Sequence, residues 1–255
     1  MARALDQLAI HSNDCDSLTQ GPQHFDLSHL ALFGHSTGAT IAPLAASIEP
    51  RIGAMILIGA GGSYLNNILY KKRPIDVLAV AEALLGYAGT SRVLDARDPV
   101  LTLIQWATEP ADPQLYAHKL IREPIAGAAP KQILMFQGIV DHYIMPPMAN
   151  SLSLPIGVDL AGPALDETVP ELAPLSHIQT LLPLNGRAQI TLPASSNVLV
   201  SGGGSVTAVL VQEPGDQIDD GHEVVFQTEA PKAGCRCFLA SIARGSVQVA
   251  ASCRQ

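Results

Sequence analysis

The sequence predicts an α/β protein, a mostly parallel sheet flanked by helices, and three observations carry that expectation. Residues 30–33 form a short apolar run that ends at Gly34 and leads at once into an apolar helical stretch, 37–48, stopped by Pro50. Residues 54–58 form a continuous apolar run of strand length, the pattern of a strand covered on both faces, and Gln132-Ile-Leu-Met-Phe136 reads as a third buried strand. Segments of helical spacing separate these runs, which calls for crossover connections and therefore parallel pairing.

Taken in order, residues 2–9 predict a short helix with Leu5, Leu8 and Ala9 on one face, followed by a polar stretch to Gln23. The helix over 37–48 contains Pro43, which removes one backbone hydrogen bond and costs roughly 3 kcal/mol unless burial compensates. From 63 to 130 the signals are helical: Ile75, Leu78, Ala79, Glu82 and Leu85 keep the spacing, as do Val100, Leu103 and Ile104, with prolines breaking the run into pieces. A fourth strand is expected over 206–211, after a Gly202-Gly203-Gly204 turn, and a final helix over 233–243. The whole reads as one domain, 1–255, with a helical cap region at 63–130 and an insertion at 147–205.

Composition narrows the function classes. With 255 residues, 47% hydrophobic and 15% charged, the chain can bury one sizeable core. A net charge of -8, without runs of Lys or Arg, argues against a nucleic-acid partner. No stretch of about eighteen apolar residues predicts a transmembrane helix. Asp6, Gln7, His11 and Asn13 interrupt any signal-peptide core, so no export signal is legible and the compartment is left open; secretion or a periplasmic location would require an upstream segment. The four cysteines, Cys15, Cys235, Cys237 and Cys253, show no zinc-site grouping, so no structural metal is expected. Cys235 and Cys237 are too close to bridge each other, whereas either can reach Cys253; one disulfide at most, or free thiols, are the readings left open.

Gly34-His35-Ser36-Thr37-Gly38 places a serine on a sharp turn between a strand and a helix, a context that exposes its hydroxyl at the sheet edge. The two glycines are expected to avoid collisions with the neighbouring strand and helix. The helix behind directs its first amides at the site, so the Thr37 N–H is the expected oxyanion donor. A serine hydroxyl needs an imidazole base and a carboxylate that orients it. Asp141, just after the third strand, is expected at the same sheet edge as Ser36, and His222 follows the fourth strand on a polar loop. Asp219, Asp220 and Glu223 are rival orienting groups; Asp219 and Asp220 read as solvated turn residues. His35 and His142 read as walls or supports of the site, and His177 as a surface residue.

The elbow Gly-His-Ser-Thr-Gly, the strand-end Gln-Gly-Ile-Val-Asp and the Asp-Gly-His run, in the order Ser, acid, His, resemble the α/β-hydrolase superfamily. Glu109-Pro-Ala-Asp-Pro-Gln-Leu-Tyr looks like a segment of its bacterial lipase-like and esterase-like members. The likeness covers 28–142 and about 206–244. It implies a carboxylic-ester hydrolase without a cofactor, acting on a small-molecule or lipid ester through Ser36, His222 and Asp141. An amidase or peptidase with the same residues, or a non-catalytic fragment that needs an N-terminal partner segment, are the alternatives. Two departures stand out. The insertion 147–205 separates acid from base, and its apolar pieces 181–184 and 190–193 are expected either to line an acyl pocket or to pack on the surface. Only 35 residues precede Ser36, where the family places several strands and the loop that supplies a second oxyanion amide, so the fold is expected to be truncated at its N-terminus, with an exposed apolar edge at the elbow strand.

Overall fold

The computed structural model describes residues 26–250, together with a short antiparallel pair, Ala9–Ile10 with Gln23–His24. The helix expected over 2–9 otherwise lies outside the described residues; Ala9, at its end, is in a strand.

Six strands form the central sheet: β1 (Leu30–His35), β2 (Ile52–Ile58), β3 (Gln132–Ile139), β4 (Asp159–Ala161), β5 (Gln189–Ile190) and β6 (Ala208–Pro214). Their order is β1-β2-β3-β6-β4-β5, and every neighbouring pair is parallel. Because all six run the same way, their carboxyl ends share one edge, and the loops leaving β1, β2, β3 and β6 lie side by side.

Alternation along the strands divides the core between the two faces. Met55, Leu57, Ile133, Met135, Ala208 and Leu210 pack on one face with Ala39, Ala42 and Ala46 of α1 (Thr37–Ile48) and Leu152 and Ile156 of α5 (Pro146–Ile156). Ala54, Ile56, Ile58, Leu134, Phe136, Val209 and Val211 pack on the other with Cys235 and Phe238 of α6 (Glu229–Ala243). Each Val, Leu, Ile, Met or Phe side chain among them contributes about 1.5–3 kcal/mol on burial, which explains why the middle strands are largely apolar on both faces. Pro43 is buried within α1, which stays continuous across it.

The span 63–130 holds α2 (Tyr64–Tyr70), α3 (Val77–Leu84) and α4 (Pro99–Thr108), which share a small core of Leu69, Tyr87, Leu94 and Leu101. Asp76 and Asp98 cap α3 and α4 by accepting from Ala79 N and Val100 N, and Pro99 starts α4 where no N–H is needed.

Three expectations need correction. The fourth long strand begins at Ala208, not at 206, because Ser205–Val206 turns back antiparallel onto Val198–Leu199; Gly202, Gly203 and Gly204, at φ 91°, 101° and 91°, make that turn. The last helix starts four residues early, at Glu229. The insertion joins the sheet, supplying β4 and β5 beyond β6. Within it Leu182 is in the core and Leu184 is 84% exposed, while Ile190 and Leu192 are partly buried and pack against the core cluster that includes Cys235 and Phe238 of α6.

β1 is the opposite edge. It has a strand partner on one side only among the described residues, and Phe33 is 52% exposed. No helix among the described residues is long and apolar enough to cross a membrane.

Candidate active site

Ser36 stands between β1 and α1 with φ 55° and ψ -122°, a region that costs of order 1–3 kcal/mol for a residue with a Cβ and persists only where its surroundings impose it. Those surroundings are identifiable. Ser36 N donates to Ile58 O of β2 at 2.9 Å, and Thr40 N donates to Ser36 O at 3.1 Å. A Cβ on Gly34 would lie 2.7–2.8 Å from Gly38 O and the backbone of Ala39, so only glycine lets the helix fold back so closely. Gly38 differs from expectation: a Cβ there would touch nothing within 4 Å. Thr37 opens α1, and as a first-turn amide its N–H has no acceptor within the helix.

Asp141 follows β3 and is 2% exposed; its Oδ1 accepts from Tyr143 N at 2.9 Å and Ile144 N at 2.7 Å. Its other oxygen, Oδ2, lies 2.9 Å from Nδ1 of His222, itself 3% exposed. That bond holds the proton on Nδ1 and leaves Nε2 with its lone pair, the tautomer a general base needs. The structure therefore brings together two residues far apart in the chain. Ser36 sits at the same edge, joined through His35: the two histidine rings are 4.9 Å apart, and His35 Nε2 donates to His222 O at 2.9 Å. No hydrogen bond links Ser36 Oγ to His222 among the described residues.

The loop bearing His222 is pressed onto the end of β3. Gly221 N donates to Val140 O at 2.9 Å, and a Cβ on Gly138 would fall 1.8 Å from Gly221 O. Tyr143 stacks on the His222 ring at 4.6 Å, nearly parallel. Apolar and aromatic packing of this kind removes water from the imidazole and fixes its plane.

Sequence reasoning misjudged Asp220. Its side chain is only 5% exposed, far from a solvated turn residue, and it accepts from both His222 N and His142 N at 3.0 Å. Asp219 is exposed, as expected. Gly59, which no sequence pattern marks, has φ 55°, and a Cβ there would lie 2.7 Å from the His222 ring, so it forms part of the site wall. His177 is only partly exposed, with Nδ1 3.9 Å from Asp166.

Beside the elbow lies a small concavity of about 50 Å³, lined by Thr40, Ser63, Asp112, Pro113, Ile144 and Met148 among others. Donor atoms of His35, His222 and Glu223 lie within 4.8 Å of one another, the grouping with metal-ligand spacing among the described residues. Both rings already use a nitrogen in holding the loop, His35 on the His222 carbonyl and His222 on Asp141.

Cys237 is disulfide-bonded and Cys235 is a buried free thiol, so the partner of Cys237 lies outside the described residues.

No family model matches the chain, and no curated protein matches it. Among solved structures, it aligns with an acylaminoacyl peptidase of Pyrococcus horikoshii at TM-score 0.41 and 9% identity, over 87% of this chain and 24% of that one. An uncomplexed form of that peptidase aligns at TM-score 0.37 and 11% identity, over 79% and 22%. Acetyl xylan esterase 1 from Thermoanaerobacterium sp. JW/SL YS485 aligns at TM-score 0.35 and 13% identity, over 76% and 43%. The chain thus spans about a quarter of the peptidase and less than half of the esterase.

Proposed function

We propose that this chain is a serine hydrolase that cleaves carboxylic esters, with Ser36 as nucleophile, His222 as base, Asp141 as its orienting carboxylate and the Thr37 N–H as oxyanion donor. The observation that carries the reading is the 2.9 Å pairing of His222 Nδ1 with Asp141, buried at the sheet edge where Ser36 is held in strained backbone. Ser36 Oγ attacks the ester carbonyl as His222 Nε2 takes its proton. The oxyanion of the tetrahedral intermediate is stabilised by Thr37 N–H and by the positive end of α1. His222 then protonates the departing alcohol, and a water activated by the same imidazole releases the acid from Ser36. The small concavity beside the elbow, with Pro113, Ile144 and Met148 in its lining, suits a short acyl group.

The test is labelling of the folded chain by a fluorophosphonate, with hydrolysis of p-nitrophenyl esters and anilides measured in parallel. The reading expects labelling at Ser36, faster turnover of esters, and loss of both in Ser36→Ala. A folded chain that neither labels nor turns over esters would overturn it, and preference for anilides would make it an amidase.

A further inference from the structure

We infer that Asp220, His142 and Glu171 form a positioning array for His222, joining the insertion and the helical cap region to the loop that carries the base; the inference rests on the serine-hydrolase reading above. Asp220 is the centre. One of its oxygens, Oδ1, accepts from the backbone N–H of His222 and from that of His142, both at 3.0 Å. The residue that follows the acid Asp141 and the base itself are thereby tied to the same buried oxygen. A backbone link thus runs parallel to the side-chain bond between Asp141 and His222.

The other oxygen of Asp220 faces His142 Nδ1 at 2.8 Å and Arg73 Nε at 3.6 Å. His142 Nε2 faces Glu171 Oε1 at 2.9 Å, on the turn Pro170–Leu172 of the insertion. An imidazolium satisfies both carboxylates, whereas a neutral ring can donate to only one. The carbonyl of His142 accepts from Lys72 N at 2.9 Å and Arg73 N at 3.0 Å, in the segment between α2 and α3. His142 is therefore the point where the acid loop, the base loop, the cap region and the insertion meet. None of these groups replaces a member of the proposed triad; they act through the backbone of His222, whose ring must stay within a fraction of an ångström of its working place.

The test uses the full chain and reads the fluorophosphonate labelling rate of Ser36, with kcat and KM on p-nitrophenyl acetate and a thermal melt for each variant. Asp220→Ala is expected to lower kcat and the labelling rate by about a hundredfold with KM within about twofold, the signature of a misplaced base. Asp220→Asn, whose amide oxygen still accepts from His222 N, is expected to recover most of that loss. His142→Ala is expected to cost about tenfold in kcat, and His142→Asn, which keeps a donor near the Nδ1 position, to restore it. If Asp220→Ala fails to fold, the His142 pair decides. Folded His142→Ala and Asp220→Ala chains that label at the wild-type rate would overturn the positioning role and leave the hydrolase reading intact. A folded wild-type chain that does not label would defeat both.

Discussion

A Cβ on Gly59 would lie 2.7 Å from both Cε1 and Nδ1 of His222 and 3.4 Å from Asp141 Oδ2. The end of β2 thus forms the floor against which the His222–Asp141 pair is clamped, while the same strand accepts the Ser36 amide through Ile58. Gly59→Ala would push the ring off its carboxylate and force a side chain into φ 55°, itself a cost of about 1 kcal/mol or more. The expected outcome is a folded, less stable protein whose kcat falls by about a hundredfold or more while KM changes little, read from ester kinetics and a thermal melt.

Asp141→Asn separates orientation from stability. The amide keeps an oxygen for Tyr143 N and Ile144 N but turns an NH₂ toward His222 Nδ1, which reverses the tautomer. A drop in kcat on the order of 10⁴-fold is expected with only a small change in melting temperature. Activity within tenfold of wild type would show that Asp141 is not the orienting group.

Burial pushes the Cys235 thiol up to about 11. Near pH 8 the native chain should therefore hold about a hundredfold less thiolate at Cys235 than an ordinary exposed cysteine, and alkylation by iodoacetamide should be slower by at least that factor until the chain is unfolded. Mass spectrometry of a native and a denatured time course checks it.

Glu213, near the carboxyl end of β6, has its carboxyl raised above the usual range by burial. The folded chain then holds this proton more tightly than the unfolded chain, so stability falls as pH rises through the folded value and is recovered below it. Glu213→Gln should stabilise the protein at pH 7–8, by a few tenths of a kcal/mol because the group is partly solvated, and the gain should vanish near pH 4. Melts at the two pH values test the sign.

Among the described residues β1 has a strand partner on one side only and Phe33 is exposed, a template for edge-to-edge association. Phe33→Glu should reduce concentration-dependent association in light scattering, and unchanged scattering would place the contact elsewhere.

Much of this architecture is legible in the chain. The apolar runs at 54–58 and 133–136 identify strands because the middle of a parallel sheet is covered on both faces, and the run at 30–33 does so by its place ahead of the elbow. The glycine-flanked serine identifies the elbow because Gly34 must meet the backbone of Ala39. Asp141 was legible from its place directly after a buried strand.

The environment of Asp220 was not legible. Its neighbours in sequence, Asp219 and Gly221, describe a solvated turn, whereas one partner of its side chain, His142, lies 78 positions away. Gly59 and the strands of the insertion were hidden for the same reason: a two-residue strand such as Gln189–Ile190 has no periodicity of its own, and it pairs only because β4 offers it an edge.

The sequence by itself determined the parallel α/β sheet and which serine, aspartate and histidine reach its carboxyl edge, because apolar runs and turn chemistry are local properties that act before any contact forms. The tertiary structure alone decided what holds His222 in place, through Gly59, His35 and Asp220. The contacts of Gly59 and His35 with His222, and of His142 with Asp220, depend on the packing of loops distant in the chain, and no local pattern of residues records which loop will lie against which.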